Sequence, residues 1–463
     1  MENVVKNRSG TLPRSMKMLG TLLITLSAIT PASSVFVIVP GIIGTAGTGA
    51  FLSMAIAAFV GICMALVYAE LSSAFPLTGG EYAIIGRAIG PSVGFVILGI
   101  NLVLLVLVPA VLALGVSTYL NVIFPSLHPI PTAIAVIAVA TLISLLNIRS
   151  NAVITGVFLI IEILALVVLT ILGFLHVKQS FTSLITHPVF LNNGHLVHTP
   201  FIAIGMGISI AIFAYNGYGT AVYFGEETHD APRHIARAIL WALAITVAAE
   251  IIPLIAMLMG TPDVTKFLGS SNMLGDFITT LGGSTINTII SLGIALAIFN
   301  AVIAGLLLTS RMLFSTGRDA VWTASISTTL TKTHKTFHSP WVATLVAGVL
   351  AILACLINEN VLFVVTGTGL IAVYGGLCLA VIIGRINKST AHSQYRMPLF
   401  PVAPIVALLV MLYVIYASWL DPVIGRPSLF TTLGIGVVAV LYYVFIVRRR
   451  GTWVLQGPDH SAG

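Results

Sequence analysis

Charge is what this chain has least of: Asp, Glu, Lys and Arg make up 8% of its 463 residues, against roughly a quarter in a soluble globular domain. So little charge cannot coat a water-soluble particle. Cysteine is scarce as well. Cys63, Cys355 and Cys378 all fall inside apolar runs without metal-type spacing, which excludes a disulfide framework or a zinc module and leaves packing as their use. No polar stretch is long enough to make a second domain. The acids within the apolar runs have no His or Lys beside them, so the nucleophile and base of a membrane-embedded enzyme are missing.

What is present is hydrocarbon. Residues of the apolar classes form 58% of the chain, in runs long enough to cross a bilayer at about 20 residues each. Twelve such spans are read at 19–45, 48–74, 91–123, 129–147, 151–175, 199–223, 236–260, 284–310, 340–357, 360–384, 400–420 and 427–447. The runs are continuously apolar and do not alternate with period two, so they predict helices, which satisfy their own backbone groups in lipid, and not a barrel. The first run lacks a small-residue cleavage pattern after it and reads as a retained span.

The net charge of +7 is distributed unevenly. With the N-terminus inside, eighteen basic residues, among them Lys6, Arg8, Arg87, Arg149, Arg233, Arg311, Arg318, Arg385 and Arg448 to Arg450, fall on the inner side. Only Lys178, Lys266 and Arg426 fall outside. That asymmetry predicts both termini in the cytoplasm, for a multi-pass protein of the cell (inner) membrane, and accounts for the basic pI without nucleic acid. Nothing specifies an oligomeric state.

Two spans carry interruptions. The first contains Ser27-Ala28-Ile29-Thr30-Pro31-Ala32-Ser33-Ser34, where proline removes a donor and the hydroxyls of Thr30, Ser33 and Ser34 can re-satisfy freed backbone groups. The sixth contains Ala214-Tyr215-Asn216-Gly217-Tyr218-Gly219-Thr220. Either alone reads equally as a kink or a close-packing site. Five spans separate them, an odd number, so the second copy runs in the opposite sense; this is the pattern of an inverted-repeat transporter with its site where the half-helices meet. Half-helix N-termini offer unpaired N–H groups to a carboxylate, such as that of an amino acid.

Val67-Tyr68-Ala69-Glu70-Leu71-Ser72, Phe75-Pro76-Leu77-Thr78-Gly79-Gly80-Glu81-Tyr82, Arg87 and Gly90-Pro91 together resemble the loop between helices 2 and 3 of the amino acid, polyamine and organocation transporter family. Phe213-Ala214-Tyr215-Asn216-Gly217-Tyr218 with Glu226-Glu227-Thr228 and Pro232-Arg233 is similar to that family's helix 6 and its exit. Ser310-Arg311-Met312-Leu313-Phe314, Arg318-Asp319 and Ser339-Pro340 are similar to the end of its helix 8 and the start of helix 9. The resemblance covers about residues 15 to 450.

It implies an all-α membrane protein with a LeuT-like five-plus-five inverted repeat. Residues 1–18 would form an N-terminal segment, 19–175 the first repeat, 199–385 the second, 400–447 two further helices and 448–463 a tail. It also implies alternating-access uptake or exchange of amino acids, with polyamines or other amines as the alternative substrates. The family's helix 1 carboxylate-binding turn falls on Ala32-Ser33-Ser34, where both of its glycines are lost and the serine hydroxyls become the donors. Its helix 6 aromatic falls on Phe213, and the acid of arginine/agmatine exchangers falls on Gly219. Phe299 and Asn300 fall in its substrate-facing part of helix 8, and Thr366, Thr368 and Tyr374 are weaker candidates on helix 10.

Two carboxylates lie mid-span, Glu162 in span 5 and Glu250 in span 7. An ionisable group there costs several kcal/mol and is a functional hypothesis by default, here a proton carrier that loads as its solvation changes. The competing reading is a permanently protonated Glu bonded to a neighbouring helix. Glu162 falls where some proton-coupled members carry a lysine. No cofactor is expected, only a coupling proton gradient. Sodium coupling would instead need oxygens from helix 1 and from Thr309 and Ser310, and a transporter-like sensor or channel is the reading outside transport. Glu70, Glu81, Glu226, Glu227, Asp230 and Asp319 lie beside Arg87, Arg233, Arg311 and Arg318 at the inner face, as gate salt bridges or as a solvated loop. His176, His187, His195 and His198 read as surface residues of an external loop.

Overall fold

The structure, a computed structural model, describes residues 12–455 except 122, 123, 125, 399, 452 and 454. Lys6 and Arg8, and most of the 1–18 segment and of the 448–463 tail, lie outside the described residues. Among the described residues, nine helical stretches are long and apolar enough to cross a membrane, and two shorter apolar helices, Pro129–Ser144 and Trp341–Ala354, accompany them. The first stretch, Met18–Ala74, takes in the first two expected spans. They meet at Gly47, whose φ of 59° turns the chain back. The 46-residue helix Met273–Arg318 is divided at Gly283, with φ 84° and ψ 171°, next to where expected span 8 begins.

The helix Ile148–Leu175 shows what kind of solvent the fold was built for. Asn147 caps its start, accepting the Ser150 N–H at 2.8 Å. Val153, Val157, Ile160, Leu164, Val168, Ile171 and Leu175, spaced by three or four residues, are all exposed. The opposite face, with Asn151, Thr155 and Glu162, is buried. Apolar outside and polar inside inverts the pattern of a soluble helix and matches a helix whose surroundings are lipid.

Small residues let backbones touch. A Cβ on Gly260 would lie 2.5 Å from the Gly173 carbonyl oxygen, and one on Gly173 would lie 2.3 Å from that of Ala256. The helices Ile148–Leu175 and Ala231–Gly260 therefore meet main chain to main chain at these ends.

The expected external loop is not wholly irregular. Val189–Asn192 (β1) and His195–His198 (β2) form an antiparallel hairpin with Asn192 opposite His195. Asn193 and Gly194 have φ of 49° and 81°, the Asn-Gly turn whose twist matches two paired strands. That dipeptide was the sequence signal for it. His176, His187, His195 and His198 are all exposed.

Candidate functional site

The first stretch leaves helical geometry at Thr30, with φ 50° and ψ 73°. Pro31 causes this, because its ring disfavours the helical region for the residue before it and it has no N–H to offer. Its Thr30 hydroxyl reaches the Ala297 carbonyl at 3.4 Å. The next free donor, the Ala32 N–H, is accepted by Glu162 Oε1 at 2.9 Å. Ser34 donates its hydroxyl to the Ala214 carbonyl at 3.1 Å, tying this break to the second one.

The second break follows the helix Phe201–Ala214. Tyr215 and Asn216 close its last turn, Gly217 takes φ 123°, and Tyr218–Phe224 continues as a tighter helix. A Cβ at Gly217 would sit 2.8 Å from Ile29 Cγ1 and 3.1 Å from Ile29 Cα. The two interruptions are thus in van der Waals contact, and only a residue without a side chain fits between them. Asn216 accepts the Tyr374 hydroxyl at 2.8 Å.

Beside this contact lies a cavity of about 140 Å³. Ala28, Phe213, Asn216, Gly217, Thr220 and Thr366 line it, with Leu104, Leu105 and Val108 on the apolar side. Phe213 is 45% exposed, unlike its neighbours Ala214 and Tyr215. At one end the wall is polar: Tyr68, Glu81, Asn101 and Tyr223. Glu81 accepts from the Tyr68 hydroxyl and Asn101 Nδ2, each at 3.0 Å, and from the Tyr223 hydroxyl. Burial pushes the Glu81 carboxyl above its ordinary value, against these hydrogen bonds, which lower it.

Other candidates sit behind the wall. Thr30, Ala32, Ser33 and Ser34 are buried at the first break and Ala214 and Tyr215 at the second, but none is among the lining residues. Phe299 packs edge-on against Phe158, with ring centroids 5.7 Å apart, and Asn300 donates to the Thr155 carbonyl at 3.2 Å. Both face the helix Ile148–Leu175. Thr368 turns away to Thr432, at 2.8 Å. A Cβ at Gly219 would meet the Tyr68 ring at 2.4 Å, so the acid of arginine/agmatine exchangers is absent here and also has no room.

The two intramembrane glutamates, Glu162 and Glu250, come from packed helices. Both are fully buried, and their charges lie close enough to interact. Glu162 Oε2 and both Glu250 carboxyl oxygens lack a hydrogen-bond partner among the described residues, as does the Tyr215 hydroxyl, which faces Glu250.

The end of the bundle that carries the basic residues is closed by buried ion pairs. Arg311 holds Glu227 through two bonds of 2.9 and 3.1 Å, and Arg318 holds Glu226, which also accepts the Thr78 N–H at 3.0 Å. Arg385 holds Glu70 at 2.7 and 2.6 Å. Tyr82 donates to Asp319 at 2.9 Å. Apart from the half-buried Arg385 these groups are buried, so the solvated-loop reading applies to the exposed Asp230–Arg233 pair, 3.8 Å apart, and to the exposed Arg87. What sequence reasoning missed is the Tyr68–Glu81–Asn101–Tyr223 group; an asparagine within span 3 was its one signal.

Apolar outward faces, spanning helices and a broken-helix pair around a cavity define a multi-pass helical membrane protein of the permease class. A sequence model described as amino acid permease matches residues 16–443, and the chain belongs to that family, within the amino acid, polyamine and organocation group; its members are permeases and not enzymes. The branched-chain amino acid permease BcaP of Bacillus subtilis is 23% identical over 77% of this chain and 78% of its own. The methylthioribose transporter of the same organism is 23% identical over 90% and 92%. The low-affinity putrescine importer PlaP of Escherichia coli is 24% identical over 63% of each.

Proposed function

We propose that the chain is a secondary active transporter of small amino-bearing solutes, amino acids first and amines second, working by alternating access around the cavity beside Gly217. The observation that carries this reading is the contact of two interrupted helices through Gly217 and Ile29 at the edge of a cavity. Paired discontinuous helices free main-chain groups at the depth where substrate must be held. Phe213, Asn216 and Gly217 would touch the substrate directly. Thr30, Ala32, Ser33, Ser34, Ala214, Tyr215, Phe299 and Asn300 would shape the breaks behind them.

In this reading the chain crosses twelve times with both ends cytoplasmic. Residues 19–175 and 199–385 are the two halves of a five-plus-five inverted repeat, and 400–447 stand outside it. The buried ion pairs Arg311–Glu227, Arg318–Glu226 and Arg385–Glu70 then form the closed cytoplasmic gate. Protons couple the cycle through Glu162, whose carboxylate meets the first break, and Glu250 beside it. Sodium is disfavoured at Ser310, whose hydroxyl oxygen already accepts from the cationic Arg311 guanidinium at 3.1 Å.

Uptake of labelled amino acids and amines into proteoliposomes, under an imposed proton gradient with sodium absent, tests this. Accumulation that collapses with the gradient is the expected result. Flux indifferent to the gradient removes proton coupling, and no flux of any such solute removes transport.

A further inference from the structure

Five carboxylates are buried near the closed end of the bundle, and four of them meet a guanidinium: Glu70 meets Arg385, Glu226 and Asp319 meet Arg318, and Glu227 meets Arg311. The fifth, Glu81, is 5% exposed and meets only neutral side-chain donors, Tyr68, Asn101 and Tyr223. No Lys, Arg or His among the described residues lies within ion-pair distance of it. Its place differs from theirs too. Glu81 is the charged side chain among the described residues that line the cavity.

A buried carboxylate without a counter-charge is costly, and a cation that arrives to pair with it recovers much of that cost. The side-chain donors to Glu81 are all neutral, so an ammonium brought beside the carboxylate competes with no other positive charge. No cationic side chain among the described residues lines the cavity to receive an anion, and the Ala32 N–H at the first break is already committed to Glu162. The rest of the wall is mostly aliphatic and aromatic.

Resting on the transport reading above, we propose that Glu81 is the group that selects substrate, by pairing with a primary ammonium carried on a small apolar body. Recognition then follows the amine and does not require the carboxylate. Amino acids and simple amines of the same skeleton are ligands, and the corresponding carboxylic acids are not.

The experiment is equilibrium binding to the purified full chain with three probes of one skeleton: valine, isobutylamine and isovalerate. Valine and isobutylamine are expected to bind at least about tenfold more tightly than isovalerate, the worth of one charge-assisted hydrogen bond. Glu81→Gln is expected to lose about the same factor for the two ammonium ligands, with Glu81→Asp falling between. Isovalerate binding as well as isobutylamine, none of the three binding, or unchanged affinity in Glu81→Gln would each overturn the assignment. Should Glu81→Gln fail to fold, the three probes on the unmodified chain decide by themselves. The two readings fail separately: the expected binding pattern without flux of labelled isobutylamine into vesicles overturns transport and leaves Glu81, whereas flux unchanged by Glu81→Gln does the reverse.

Discussion

The Ala32 N–H, set free where Pro31 breaks the first membrane helix, donates to Glu162 Oε1 at 2.9 Å across to the helix Ile148–Leu175. A side chain offered as a proton carrier thus also caps a half-helix, and protonation changes the strength of that cap. Charged acceptors bind such an N–H more tightly than neutral ones, so loading a proton would loosen the first break.

Two substitutions at Glu162 separate these roles. Glu162→Ala leaves a buried N–H unpaired, at a cost of about 1–3 kcal/mol, and the melting temperature should fall. Glu162→Gln keeps an acceptor oxygen and should melt near the parent. Its uptake should no longer respond to a proton gradient, while counterflow exchange persists. Gradient-driven uptake at the parent rate in Glu162→Gln would rule the coupling role out.

Glu250 presents the opposite balance. Its two buried oxygens accept no hydrogen bond among the described residues, the nearby Ser34 hydroxyl being given to the Ala214 carbonyl, so replacing it with an apolar side chain of similar volume removes a cost. Glu250→Met should raise the melting temperature and lower gradient-driven uptake, the exchange of activity for stability expected where a strained group works. A variant that melts higher and transports normally would show that Glu250 has no part in coupling.

The Arg311–Glu227 pair has both side chains almost fully buried. Arg311→Met leaves Glu227 charged and alone, and should cost about 3–5 kcal/mol. Adding Glu227→Met should restore much of this loss, as measured by melting temperatures around the double-mutant cycle. Strictly additive losses would mean that the pair does not interact.

At the second break, Gly217→Ala meets both a left-handed φ of 123° and the Ile29 side chain at 2.8 Å. It should destabilise by about 1–3 kcal/mol and depress uptake of every substrate alike. Gly219→Glu should fail in a different way. The Tyr68 ring fills its side-chain position, so the variant should lose folding yield and should not gain arginine/agmatine exchange, as read from expression and from exchange in vesicles.

The membrane helices were legible because composition alone forces them: so little charge and so many apolar residues leave no other solvent for them. The two breaks were legible for a local reason, since Pro31 and Gly217 constrain their own backbone. What sequence could not give was the rotation of each helix about its axis. In lipid most of a helix surface is apolar on both faces, so outside a few polar positions such as Asn151, Thr155 and Glu162 the periodicity that fixes rotation in a soluble helix is weak. Thr368 turning to Thr432, Asn300 turning to Thr155 and Glu81 turning into the cavity all depend on that rotation. The close approach of Glu162 and Glu250 depends on it as well, and no spacing along the chain announces it.

The contact of Gly173 with Ala256 and Gly260 is a mechanical constraint on those two acids. Glu162 sits roughly 16 Å along its helix axis from that contact and Glu250 roughly 9 to 15 Å, on helices that touch there backbone to backbone. Neither rod can slide past the other without a collision of main chains, so any relative motion must pivot at that fulcrum. A rotation of about 5° at that pivot moves each acid by about 1 Å, so the separation of the two acids is tied to how the helices tilt there.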